Sequence, residues 1–83
     1  MMVNQPEREE DSERMRRHID AAVNELPTKC RHIFMLSRNA GLTYEEIAEE
    51  LELSVKTVEN QMSIALKKLR ESLKPLYDYY QNN

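Results

Sequence analysis

Eighty-three residues make one domain with a thin core, and 33% charged against 40% hydrophobic residues suit a small soluble helical module. One glycine and three prolines are too few breakers for a sandwich or barrel, and no run approaches the ~20 apolar residues of a membrane span. The net charge of −3 is uneven, with −3 on residues 1–26, −2 on 27–53 and +2 on 54–83, so only the last third suits a polyanion.

Residues 1–11 read as a flexible polar segment. From Ser12 onward Met15, Ile19, Ala22, Val23 and Leu26 recur on one helical face, with Asp11 or Ser12 as the cap and Pro27 as the stop. Pro27 also suits the opening of a second helix, where a missing N–H costs nothing. Cys30, Ile33, Phe34 and Ser37 line its inner stripe, broadened by Leu36, and Asn39-Ala40-Gly41 ends it with a glycine able to turn left-handed. Thr43-Tyr44-Glu45-Glu46 has the form of a capping box and starts a third helix of about two turns, with Ile47, Ala48 and Leu51 inward. Ser54 caps the fourth and longest helix, whose apolar stripe is Val55, Val58, Met62, Ala65, Leu66, Leu69 and Leu73. Pro75 is expected to end or bend it. Residues 75–83 then form a tail with room for one further helical turn, which would fold Leu76, Tyr77 or Tyr80 back on the core. The fold class expected is all-α: a compact four-helix domain over residues 12–74, with a helix-turn-helix and a long C-terminal recognition helix.

Residues 43–66 carry the functional signal. A capped two-turn helix, a short turn holding Leu53 and a second capped helix form a helix-turn-helix. Small Ala48 allows a close crossing, Leu53 fills the space beneath it, and Ile47 and Val58 pack from either side. Such a unit can project its second helix into a major groove, which is wide enough for one helix. Two capped amphipathic helices also occur in bundles that never meet DNA, so the outer face of the fourth helix has to decide. Opposite the apolar stripe lie Lys56, Asn60, Ser63, Ile64 and Lys67, with Thr57, Glu59 and Gln61 on the flanks. Asn and Gln can bond adenine edges, Glu can accept from cytosine, and Ser and Thr can do either. Lys56 and Lys67 suit phosphates on the two sides of the groove. Taken singly, each of these side chains would serve equally well on a solvated helix face.

Over roughly residues 20–73 the chain resembles region four of extracytoplasmic-function sigma factors. The resemblance rests on Leu26-Pro27, Arg31, the Phe34/Leu36 stripe, Gly41 through Ala48, Ser54 through Val58 and Ala65 through Arg70. It implies a four-helix module whose last helix reads the −35 promoter element as double-stranded DNA. It also implies that the first three helices contact core RNA polymerase at the β flap, that an anti-sigma factor is a possible partner, and that the domain is a monomer. Base-edge roles are implied for Thr57, Glu59, Asn60, Gln61 and Ser63, and backbone roles for Thr43, Tyr44, Lys56 and Lys67. Better-known relatives carry arginine where this chain has Glu59, Gln61 and Ile64, which removes guanine-reading candidates and predicts a different −35 preference. Such factors also carry a preceding domain that reads the −10 element, so a longer full chain is expected.

The nearest rival is a LuxR/NarL-type response-regulator output domain, which shares the EIA-type third helix and the KTV-type start of the fourth. Leu26-Pro27 and the long ALKKLRESLK continuation favour the sigma reading. A helical protein-interaction adaptor, using the acidic first half and Ile64, is the alternative from another class. Enzymatic, metal and cofactor roles are not expected. His18 and His32 sit on polar faces of different helices without ligand spacing, Cys30 is a core filler, and Glu45, Glu46, Glu49 and Glu50 are surface charge. A single cysteine and a polar, acidic start without an apolar leader point to the cytoplasm.

Overall fold

In the computed structural model, which describes residues 4–81 with side chains from Asp11 onward, four helices follow one another: α1 Asn4–Asn24, α2 Thr28–Arg38, α3 Tyr44–Leu51 and α4 Val55–Gln81. Among the described residues there is no strand.

α1 begins at Asn4, eight residues before the expected cap, so Asp11 and Ser12 lie inside the helix. Pro6 sits in the first turn, where no intrahelical amide is needed. Farther along, Glu13 reaches Arg16 at 3.4 Å and Arg17 at 3.7 Å; such exposed pairs add only a few tenths of a kcal/mol each. Residues 1–3 of the expected N-terminal segment fall outside the described residues.

α1 ends at Asn24, whose carbonyl accepts a 3.0 Å hydrogen bond from the Arg31 guanidinium. This cation at a helix C-terminus joins α1 to α2. Pro27 is the N-cap of α2, and its carbonyl accepts from the Arg31 amide at 2.8 Å. α2 closes through Asn39 and Ala40 amides on the Met35 carbonyl, and Gly41 then takes φ +71°, the left-handed turn expected of it.

Both halves of the capping box form at α3: the Thr43 amide donates to Glu46 Oε1 at 2.8 Å, and the Glu46 amide donates to Thr43 Oγ1 at 3.1 Å. The end of α3 makes the turn of the helix-turn-helix. Glu52 adopts φ 57°, its amide bonds the Glu49 carbonyl, and the Leu53 amide bonds the Ala48 carbonyl at 2.8 Å. That is a Schellman closure with glutamate in the position glycine usually fills. Ser54 then caps α4, its Oγ accepting from the Thr57 amide at 3.0 Å.

The core is one cluster in which α4 is the common partner of the other three helices. Ala22 and Leu26 come from α1 and its end, Cys30, Ile33 and Phe34 from α2, Ile47 and Ala48 from α3, and Val58, Met62, Ala65 and Leu69 from α4. Leu42, Tyr44, Leu51, Leu53, Val55 and Leu73 pack around it. Among the described residues no polar or charged residue is buried.

Three expectations are corrected by what covers what. Leu66 is 45% exposed, because the core faces the row Val58, Met62, Ala65 and Leu69 and leaves Leu66 past its edge. Met15 is likewise exposed, since α1 meets the core only through its last turns. Pro75 neither ends α4 nor starts a separate tail: the helix runs through it to Gln81. The Glu71 carbonyl loses its amide partner there, but Glu71 is exposed and water can replace the donor, while Lys74 and Asp78 pair across the proline at 3.1 Å. On this continuation Tyr77 is exposed while Leu76 and Tyr80 are half-buried, and none of the three is a member of the core; Asn82 and Asn83 lie outside the described residues.

Candidate nucleic-acid interface

The side of α4 turned away from the core is set by its buried row. With Val58, Met62, Ala65 and Leu69 inward, Lys56, Glu59, Asn60, Ser63, Ile64 and Lys67 are all exposed. They fall into two adjoining rows of one-turn spacing, Lys56–Glu59–Ser63–Lys67 and Asn60–Ile64. Each is free to meet a ligand without disturbing the fold. Glu59 has no hydrogen bond or ion pair among the described residues, although Lys56 stands one turn before it.

Two residues expected at base edges sit differently. Thr57 is half-buried and its hydroxyl accepts a 2.9 Å hydrogen bond from Ser54 Oγ, so it is tied to the helix start. Gln61 is half-buried, and its backbone carbonyl accepts from the Cys30 thiol of α2 at 3.4 Å. Both lie on the flanks of the exposed face and not at its centre.

At the α3 N-terminus Thr43 is exposed and Tyr44 half-buried against the core. The capping box already satisfies the Thr43 and Glu46 amides, and Glu45 and Glu46 place two carboxylates in the first turn. An anion there would find the Tyr44 and Glu45 amides and the hydroxyl protons of Thr43 and Tyr44, beside two carboxylates.

Two features escaped sequence reasoning. Arg70 is exposed on the same side as Ser63 and Lys67, a continuation that the i, i+4, i+7 spacing from Ser63 could have revealed. The other is a groove of about 560 Å³ between α1 and α2, floored by Ile19, Val23, Phe34 and Met35 with Arg16 and Arg38 at its rim. No residue of α3 or α4 lines it. A cleft between two helices leaves no mark in either helix's own periodicity.

The Cys30 thiol is buried within the core, and that burial pushes its pKa above the ordinary value of 9.0, against a smaller opposite pull from Lys68. It is a packed side chain here, not a nucleophile. Among the described residues no group of His, Cys, Asp and Glu could hold a metal ion, and no helix is long and apolar enough to cross a membrane.

No curated protein matches the chain. Residues 16–69, however, match the family Sigma-70, region 4, a DNA-binding regulatory family and not an enzymatic one. The match takes in the end of α1, all of α2 and α3, the helix-turn-helix and the core-forming part of α4. A four-helix domain in which α3 and α4 form a helix-turn-helix carries this match over more than half of its length, and this chain belongs to the sigma-70 region 4 family of transcription-initiation factors.

Proposed function

We propose that the chain is the −35-reading C-terminal domain of an extracytoplasmic-function sigma factor, acting as a monomer in the cytoplasm together with core RNA polymerase. The observation that carries this reading is the continuous exposed face from Lys56 to Lys67 on the second helix of the helix-turn-helix, in a chain of this family. Asn60 and Ser63, at its centre, read base edges, with Glu59 beside them and Thr57 and Gln61 contributing from the flanks. Lys56, Lys67, Thr43 and Tyr44 hold the phosphates on either side.

The α1–α2 groove supplies the second surface the function needs. It is apolar on its floor and shares no residue with the exposed face of α4, so a polymerase β-flap element can occupy it while DNA occupies α4. The acidic first half and weak positive charge of the last third fit a domain whose DNA affinity depends on being delivered by polymerase. An anti-sigma factor that covered either surface would silence it.

The test is transcription in vitro with core RNA polymerase and the full-length sigma chain on a promoter library. Initiation that depends on the −35 sequence, and that Asn60→Ala weakens, is expected. Initiation indifferent to the −35 sequence overturns the reading. Dimeric binding to paired half-sites without polymerase would favour a response-regulator output domain instead.

A further inference from the structure

We infer that Glu59 is a specificity-determining residue: it makes this domain require a cytosine at one position of its DNA element. The inference rests on α4 being the DNA-reading helix and adds a base identity to that reading.

The argument starts from charge. Glu59 is exposed on the proposed DNA face, one turn after Lys56 and one turn before Ser63. Neither neighbour nor any other described residue pairs with its carboxylate, so no described residue neutralises it. A bare carboxylate brought among phosphates is repelled, and it is an acceptor only. Guanine N7 and O6, thymine O4 and adenine N7 are acceptors too, so against them Glu59 leaves two unpaired acceptors facing each other. The cytosine N4 amino group has an acceptor on one side only, the O6 of its paired guanine, whereas adenine N6 stands between its own N7 and the O4 of the paired thymine. Glu59 therefore selects mainly by exclusion, rejecting the wrong bases more strongly than it binds the right one.

The rest of the face agrees. Between Lys56 and Lys67 there is no lysine or arginine, the side chains that pair bidentately with guanine. Asn60 offers the amide that suits adenine, and Ile64, 41% exposed and one turn further on the same row, offers apolar contact to a thymine methyl. The element read by this face is accordingly built of adenine–thymine pairs around one fixed cytosine.

The experiment is selection from a random duplex pool at low ionic strength, using the 83-residue chain and its Glu59→Ala and Glu59→Gln variants, each checked for helix content. The wild-type chain should enrich an element with one position at which cytosine is preferred about five- to tenfold. Glu59→Ala should enrich the same element with that one preference lost and with overall retention equal or greater, since a repulsive charge is gone. Glu59→Gln should move the preference at that position toward adenine. An enriched element whose base preferences are the same in wild type and Glu59→Ala overturns the role of Glu59 and leaves the DNA-reading assignment standing. Failure of the wild-type chain to enrich any element, both alone at low ionic strength and together with core RNA polymerase, overturns both.

Discussion

Glu52 occupies a backbone conformation that glycine fills at most helix ends, and its side chain is exposed with no contact that would compensate. Left-handed φ at a non-glycine residue costs about 1 kcal/mol. Glu52→Gly should therefore raise the urea midpoint by the equivalent of up to ~1 kcal/mol, partly offset by the greater freedom of glycine in the unfolded chain; an unchanged or lower midpoint would show that the turn is not strained. Cys30 provides a second residue-level test. Its thiol pKa is raised in the folded state by burial, so folding retains a proton that the unfolded chain gives up. The stability this contributes is fully present below the unfolded pKa and is lost as pH rises through the folded value. Unfolding midpoints should fall above pH 9.0, less steeply in Cys30→Ala, and a thiol reagent at neutral pH should react no faster than the domain unfolds. Rapid labelling of folded protein would contradict the burial.

Each helix of the DNA-binding unit is held at its start by a side chain. At α3, removing the threonine oxygen frees the Glu46 amide, while the backbone amide of residue 43 keeps its bond to the Glu46 carboxylate. Thr43→Ala should cost about 1 kcal/mol in global unfolding, while Thr43→Ser should restore most of it. A loss of similar size in both variants would point to the methyl group and away from the cap. At α4 the question is charge. If Lys67 meets a phosphate, Lys67→Ala should weaken DNA binding about equally for all sequences and lower the slope of log affinity against log salt by roughly one. A change in base preference with an unchanged slope would place Lys67 on a base edge.

On the scale of the molecule, the helices outrun their core. The radius of gyration is 15.8 Å and the longest dimension 51 Å, against roughly 12 Å expected of a compact chain this size. α4 alone, at 27 residues, spans ~40 Å, and the core uses only its portion from Val58 to Leu69. The proposed DNA face, Lys56 to Lys67, lies on the core-forming part of α4, and the α1–α2 groove shares no residue with it. Met35, 41% exposed at the α1–α2 groove, offers a way to separate them. Met35→Glu should reduce capture by core RNA polymerase at least tenfold by burying a charge at an apolar contact, while leaving DNA selection and helix content unchanged. Equal loss of DNA selection would mean that the groove supports α4 and is not an independent docking surface.

What could be read directly from the chain was short-range. The Thr43/Glu46 box, the Ser54 cap, the left-handed Gly41 and the buried rows of α2, α3 and the first half of α4 follow from backbone geometry and spacing within a few residues. The exposure of Lys56, Asn60 and Ser63 followed too, because a helix with one buried row has a fixed opposite side. Tertiary structure alone decided where each row stops being covered. Leu66 and Met15 have the right period and still face outward, since no helix lies over them, and α4 runs on through the exposed Pro75. The half-burial of Gln61 and the groove between α1 and α2 likewise depend on how separate helices meet. Periodicity states which side of a helix is apolar; only the packed neighbours state how much of it is hidden from water.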